Sequence, residues 1–469
     1  MSAWRGLRER HSILRTVFVA IGPKQIVQVV LNPSAVDDSS FHCLDAQGIL
    51  ANTAIEINRR EAREPFDLFT APSRLYLIRG GDQDCVLMKL HHATYDAWTI
   101  PTIITDLTAL YRNVNLAPVP NFKLFIQHTI QSLQGEEQKD YWTRCLIRSQ
   151  PTLLKPSLAH TEVQSNIKPR PTFVVLKGAV PNLKSLSTTI QRSEIALSTL
   201  ILIAFARTLA RYTSISSPIF GLYQTGRSAS FDGIRNLCAP CLNITPLLIP
   251  EALSCNPSAT AQALQSDLAA RVPFEQSYLH DILGWIGNAH VPLFNTYVNI
   301  LWHEGMNAPS SSSEDDLLVP WRPGSSSELA PTEPMTGRTA VDGLDVGMIA
   351  EKNLFLDVGR SFDGDAADFT IKCDGDLMEG EEVRRFAVEV AEEVIQLVET
   401  IGDDFKKGIV NLESIWIIMN CTSVASNWAI VSQQFLLYNS SVGWRLLIAS
   451  KKIRQSPFLR PLDSILRQG

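Results

Sequence analysis

The chain has 469 residues, 45% of them hydrophobic and 19% charged, enough apolar material for two domains of ordinary size around sizeable cores. A formal net charge of −6 without any long Lys/Arg run argues against nucleic acid or an anionic membrane as partner, since both call for a basic surface. The opening "MSAWRGLRERH" has no apolar segment of the secretory kind, so the eight cysteines are expected as reduced thiols in a cytoplasmic, monomeric protein. The N-x-[ST] triplets at Asn243, Asn420 and Asn439 are then not expected to carry glycans.

In chain order, "ILRTVFVAI" and "QIVQVVL", separated by Gly22 and Pro23, predict a hairpin. Apolar residues at 49, 50, 54, 55 and 57, followed by charges and Pro65, predict a surface helix. "SRLYLIRG" and "DCVLMKL" flank "GGDQD" and predict two strands joined by a turn. Trp98, Ile100, Ile103, Ile104, Leu107 and Leu110 then recur at helical spacing, and residues 122 to 146 form a further helical region.

A Pro-, Ser- and Lys-containing stretch at 156–172 has no clear period and reads as a linker between an N-terminal lobe, 1–155, and a C-terminal lobe, 173–402. The second lobe restarts with the strand "TFVVLKG", the apolar helix "LSTLILIAFARTLARYT" and the strand "SPIFGLYQTGR". Its Ser/Glu/Pro/Gly-rich insertion, 307–341, is expected as a surface loop without chemistry. Strands at "NLFLDVG" and "DFTIKCD" lead to an amphipathic helix from 379 to 401. Strands alternating with helices in both halves predict an α/β protein. The tail, 403–469, has no assigned role; its charge-free stretch, 414–444, is broken by Ser, Thr, Asn and Gln and so makes a poor membrane span.

Chemistry concentrates in "KLHHATYDAW", residues 89 to 98. A neutral imidazole at a strand end can take a proton from an attacking amine or hydroxyl, since its ordinary pKa is about 6.5; a buried histidine can equally be a hydrogen-bonded structural residue. Asp96 sits near a predicted helix N-terminus, where a carboxylate is favoured by unpaired N–H groups. The "CAPC" at Cys238 to Cys241 has no second CxxC or His pair to complete a metal tetrahedron, so both thiols read as small core residues and no metal is expected.

Three stretches in order, "RHSILRTVF" at 10–18, "EPFDLFTAPSRLYLI" at 64–78 and "HHATYDAWT" at 91–99, together resemble the motifs of condensation domains of fungal nonribosomal peptide synthetases. "GLYQTGRSASFDGIRNLCAPCLNITP" and "FEQSYLHDILGWIGNAHVPLFNTYVNI" extend the resemblance over about residues 4 to 400. The resemblance implies two chloramphenicol-acetyltransferase-like lobes meeting in a V around a tunnel. There an acyl or peptidyl thioester on one carrier protein passes to an amine on another. It implies phosphopantetheine thioesters as substrates with no bound cofactor, and carrier proteins and adenylation domains as partners.

By position, His92 matches the family's catalytic histidine, His91 a packing residue, and Asp96 a structural aspartate for which Arg10 is the expected partner. Arg15 belongs to the same first motif, and Gly226, Arg227 and Asn243 match the second-lobe motif. Ala97 stands where the family usually has Gly, keeping the backbone N–H but adding a methyl group that could crowd the tunnel or disfavour φ > 0. Met1 lies almost on the first motif, so the family's opening helix and strand are expected to be missing. Two other functions fit parts of the pattern. A free acyl-CoA-dependent acyltransferase of the H-x-x-x-D kind is one, although its D-F-G-W-G segment is absent. A non-catalytic carrier-docking remnant is the other, consistent with Ala97 and the short N-terminus.

Overall fold

The computed structural model describes residues 1–22, 25–35, 38–64, 72–133, 135–147, 149–155, 171–191, 193–287, 292–302, 317–320, 352–361, 364–408 and 444–450. Its first half runs α1 (Ser2–Arg10), β1 (Thr16–Gly22), β2 (Gln25–Val30), β3 (Phe41–Asp45), α2 (Leu50–Arg63), β4 (Ser73–Arg79), β5 (Asp84–Leu90), α3 (Thr99–Tyr111), α4 (Phe122–Ser132) and α5 (Glu136–Leu146). The second half continues with β6 (Pro171–Val180), α6 (Leu183–Gln191), α7 (Leu197–Thr213), β7 (Ile219–Gln224), β8 (Asn243–Leu248), α8 (Pro257–Ala270) and α9 (Leu279–Trp285). Then follow β9 (Thr296–Leu301), β10 (Val319–Pro320), β11 (Leu354–Arg360), β12 (Ala367–Asp374), α10 (Gly380–Gly408) and β13 (Trp444–Ser450). The predicted hairpin is present as β1 and β2. The helical region from 122 onward is two helices, the first capped by Asn121, whose side chain accepts the Lys123 N–H, the second starting after Gly135.

Two larger sheets organise the chain. The first has the order β10-β13-β5-β4-β3 and the second β6-β12-β11-β9-β7-β8. Every residue of β5 is buried, which is why "DCVLMKL" reads as a nearly unbroken apolar run rather than an alternation. Its one cation, Lys89, is neutralised in place: its ammonium donates to Glu61 Oε2 at 3.2 Å and to the carbonyls of Glu61 and Glu64. The tail contributes β13, antiparallel to β5 from Trp444 opposite Leu90 to Ser450 opposite Asp84.

The second sheet alternates. Leu354, Leu356 and Val358 of β11, with Phe369 and Ile371 of β12, join Phe205 of α7 and Phe386 and Val390 of α10 in one core. Phe355 and Asp357, at the intervening positions, belong to the opposite face by the two-residue strand period. Helix α7 buries Leu197 and Thr199 through Phe205 and Ala206 in an almost continuous run, because it is packed on more than one side.

The halves exchange elements at their junction. Tyr141, Trp142 and Leu146 of α5 pack with Ile219, Ile282 and Phe294 from the second half. Conversely Ile234, Leu237, Cys238, Ala239 and Cys241 pack into the first-half core with Trp4, Leu7, Met88 and Ile103. The loop between β7 and β8 is therefore anchored on the first lobe although its strands belong to the second sheet. Most of the expected linker, nearly all of the 307–341 insertion and the charge-free stretch up to residue 443 lie outside the described residues. Among the described residues no helix is long and apolar enough to cross a membrane.

Candidate active site

Strand β5 ends at Leu90 and the chain turns into a short 3-10 helix, His92–Thr94, before α3 begins. Asp96 closes this turn. Its Oδ1 accepts the N–H groups of Trp98 at 3.1 Å and Thr99 at 2.9 Å and the Thr99 hydroxyl at 2.7 Å, and the Asp96 N–H is in turn within 3.2 Å of the Thr99 hydroxyl oxygen. The expected helix-end role of Asp96 is thus present, and it satisfies donors that a helix start leaves without partners.

Asp96 is also one half of a buried ion pair, but its partner is Arg227 and not Arg10. Arg227 Nη2 reaches both carboxylate oxygens, at 3.0 and 2.8 Å, and the two side chains are 3% and 4% exposed. The same loop supplies most of the remaining partners: Arg227 donates from its two terminal nitrogens to the carbonyls of Ile234, Leu237 and Ala239, leaving only its buried Nε without one, and Cys241 N–H donates to Asp96 Oδ2 at 2.9 Å. A buried charge pair is tolerated when its other donors and acceptors are satisfied in this way. Arg10 fails as partner for a geometric reason. It ends α1, which lies across α3, and meets that helix at Asp106, about 10 Å beyond its start. There Arg10 Nε and His11 Nε2 both lie 2.7 Å from Asp106 Oδ2. Burial alone would raise the Asp106 carboxyl, but the hydrogen bonds from His11 and Arg10 hold it below its ordinary value.

The other motif residues have definite places. Arg15 donates to the carbonyls of Arg8 and Leu31 and so ties α1 to the end of β2. Gly226 has φ +67°, and a Cβ there would lie 1.9 Å from the Cys241 carbonyl oxygen, so no other residue fits the turn that delivers Arg227. Asn243 donates to the carbonyls of Glu275 and Ser277 at 2.7 and 2.8 Å, holding the start of β8. Cys238 and Cys241 are buried free thiols; burial drives both thiol pKa values up, that of Cys241 to about 12, which makes them inert. The role of "CAPC" is instead the Cys241 backbone N–H. Among the described residues no group of His, Cys, Asp and Glu is placed to hold a metal.

His91 and His92 differ as their neighbours do. His91 Nδ1 accepts the Ala93 N–H at 3.1 Å and its ring lies against Phe18, a packing and capping position. His92 stacks on Tyr95 with ring centroids 4.9 Å apart and keeps an exposed edge. Desolvation lowers its pKa and outweighs the backbone hydrogen bonds that would raise it, with a smaller lowering from the charge of Lys372. Ala97 is partly exposed and is not among the positive-φ residues, so its methyl group costs no backbone strain.

Lys372 comes from the second sheet. Its ammonium lies 3.0 Å from Asp357 Oδ2, while Asn299 Nδ2 donates to Asp357 Oδ1 at 3.0 Å. Neither this cluster nor the Asp106 site was legible in the sequence, since each is assembled from separate elements; only the polar interruptions in "TYVNI", "LFLDVG" and "FTIKCD" mark the former.

Residues 1–319 match the model of the family described as Condensation domain. The chain belongs to the condensation-domain family. It is 36% identical over 84% of its length to nonribosomal peptide synthetase sidC of Aspergillus fumigatus, and 32% identical over 88% to nonribosomal peptide synthetase fso1 of Omphalotus olearius. Siderophore peptide synthetase fer3 of Mycosarcoma maydis is 29% identical over 82% of the chain. The chain spans only 8%, 9% and 8% of these relatives' lengths. Its fold is that of the condensation domain from Monacolin K polyketide synthase MokA (17% identity, TM-score 0.58, covering 85% of this chain and 88% of that one). The epimerization domain from the third module of tyrocidine synthetase B shares the fold too (13% identity, TM-score 0.63, covering 86% and 89%). The α/β architecture is therefore the chloramphenicol-acetyltransferase-like one of condensation domains.

In this condensation domain the Asp96–Arg227 pair is expected to be strongly coupled. Asp96→Ala and Arg227→Ala should each cost about 3–5 kcal/mol because each strands a buried charge, and the double variant should cost clearly less than their sum. Arg10→Ala combined with Asp96→Ala should be additive within about 0.5 kcal/mol. Urea unfolding of the parent and the five variants measures both cycles; additive losses in the first cycle would contradict the pairing.

Proposed function

We propose that this condensation domain forms an amide bond by transferring an acyl or peptidyl group from the phosphopantetheine thioester of one carrier protein to the amine carried by a second. The supporting observation is His92: an imidazole kept in its neutral form by its surroundings, at the end of a buried strand, on a turn held by Asp96 and Arg227. Its role here rests on its match to the family's histidine.

The chemistry runs as acyl transfer. His92 in its neutral form accepts a proton as the acceptor amine adds to the thioester carbonyl, and the imidazolium then stabilises the tetrahedral oxyanion or returns the proton to the departing thiolate. The carbon–nitrogen bond forms on addition and the carbon–sulfur bond breaks as the tetrahedral intermediate collapses, the thiolate leaving with the proton returned by His92 and with no change in oxidation state. Presenting both thioesters in one space removes most of the entropic barrier to their meeting, an advantage on the order of 7 kcal/mol or more in well-oriented cases. Carrier proteins and adenylation domains of a cytoplasmic fungal synthetase are the partners in this proposal. The name of the fer3 relative supports a siderophore peptide as the class of product.

His92→Ala should lower condensation between two loaded carrier proteins by about 10²–10⁴-fold while leaving the melting temperature unchanged. His91→Ala should instead lower the melting temperature by removing the acceptor of the Ala93 N–H. Turnover by His92→Ala equal to the parent would remove His92 from the chemistry. Activity with a soluble acyl-CoA donor but none with a carrier-bound donor would replace the proposed donor.

The acid limb of kcat/KM should also be displaced. Desolvation of the imidazolium outweighs the backbone hydrogen bonds that favour it, so the base form persists below the ordinary histidine pKa of about 6.5. Activity should therefore fall only as pH drops through that lowered value, and a pH profile with a histidine limb at or above the ordinary value would contradict the assignment.

A further inference from the structure

Strand β7 leaves the second sheet at Gln224, and β8 enters it at Asn243, directly opposite. The loop from 225 to 242, with Arg227 and Cys241 in it, therefore hangs from a neck two chains wide. A side chain from outside the loop spans that neck. Gln276 follows the short turn Val272–Phe274 between α8 and α9. Its amide nitrogen donates to the Cys241 carbonyl at 3.3 Å and lies 3.5 Å from the Gly226 carbonyl. A Cβ on Gly226 would come within 2.4 Å of the same nitrogen. One NH2 group, with two hydrogens to give, thus faces a carbonyl on the outgoing chain and another on the returning chain.

Gln276 is itself held on both sides. Asn243 donates to the carbonyls of Glu275 and Ser277, its two neighbours, and the Ser277 N–H donates to the Phe274 carbonyl at 3.1 Å. The Ser277 hydroxyl donates to Gln138 Oε1 of α5 at 3.1 Å, and Gln138 Nε2 donates to the Ser132 carbonyl at the end of α4. Glu275 and Ser277 are buried. From the neck the contacts continue to the site without a gap. Cys241 receives Gln276 on its carbonyl and gives its N–H to Asp96 Oδ2 at 2.9 Å, while Asp96 Oδ1 accepts the N–H groups of Trp98 and Thr99. On the outgoing chain the Gly226 carbonyl shares one rigid peptide plane with the Arg227 N–H, and Arg227 reaches both Asp96 oxygens.

We propose that Gln276 is a positioning residue for the His92 turn: its amide sets the spacing of Gly226 and Cys241, and through them the approach of Arg227 and the Cys241 N–H to Asp96. Its importance for turnover rests on the reading that His92 is the base. The physical reason is the donor pair. Without it the two carbonyls turn toward other donors or solvent, since an acceptor left unmet beside a buried loop is costly, and the peptides that carry them rotate. That rotation draws both partners of Asp96 out of line without unfolding either lobe. Displacing a catalytic group by about 1 Å can cost about 10²-fold in rate.

Gln276→Met in the full chain keeps the length and volume of the side chain and removes both donors. By amide hydrogen exchange, the Cys241, Trp98 and Thr99 N–H groups should lose about tenfold or more of their protection, while β6 and β12 keep theirs. In condensation between two loaded carrier proteins, at a temperature where near-ultraviolet circular dichroism shows the variant fully folded, kcat should fall by about 10-fold to 10²-fold. KM should stay within about threefold of the parent's, because the carriers meet an unchanged surface. Should Gln276→Met not fold, Gln276→Asn keeps the amide on an arm one methylene shorter and should give the same pattern with smaller amplitude. Parent-like protection of Cys241 and Trp98 in the folded variant overturns the proposal, as does lost protection accompanied by the parent's kcat. A parent that condenses no pair of loaded carriers contradicts the proposed function instead, and the exchange result then decides by itself whether Gln276 holds the turn.

Discussion

Asp96 and Arg227 are 131 residues apart in the chain and share a buried contact of 2.8 Å, and most of what positions the site depends on it. Asp96 belongs to the turn that carries His92 and to the start of α3; Arg227 belongs to the loop that leaves β7 of the second sheet. Neither charge is stable alone in that interior. Each is accommodated because the loop's own backbone turns the carbonyls of Ile234, Leu237 and Ala239 toward the guanidinium and the Cys241 N–H toward the carboxylate. Gly226, with its positive φ and no room for a Cβ, is what allows the chain to enter that conformation.

The packing around this pair explains why it can be rigid. Residues 234–241 are buried among first-half side chains, and α5 is buried among second-half ones. Rocking of one half against the other would expose apolar surface on both sides of the junction as well as the two charges. The His92 turn is therefore set on a fixed frame, as the proposed role of His92 as a base requires.

Much of this architecture was legible in the sequence because it rests on local rules. The period of apolar residues marked α3, the apolar run "LSTLILIAFARTLARYT" marked α7, and turn chemistry around "GGDQD" marked β4 and β5 as neighbouring strands. Motif order alone pointed to the family and to Asp96 as structural. The error in pairing Asp96 with Arg10 came from a plausible inference: two charges in neighbouring motifs of one lobe. The true partner lay in the second-lobe motif, to which Gly226 and Arg227 were matched without a stated partner. Choosing between two arginines requires the relative placement of α1 and α3, which sequence periodicity does not encode. The Asn299–Asp357–Lys372 cluster was illegible for a related reason, as its members come from three strands whose register is set only on folding.

The most direct test of the central claim, that Arg227 holds the His92 turn from the other half of the chain, is amide hydrogen exchange at Trp98, Thr99 and Cys241. All three N–H groups donate to Asp96. In the parent they should be strongly protected and should open together, although Cys241 is remote in sequence. In Arg227→Leu their protection should fall together, while β6 and β12, at the far side of the second sheet, keep theirs. Unchanged protection of Trp98 and Thr99 in that variant would contradict the account, because the turn would then be held by the first lobe alone.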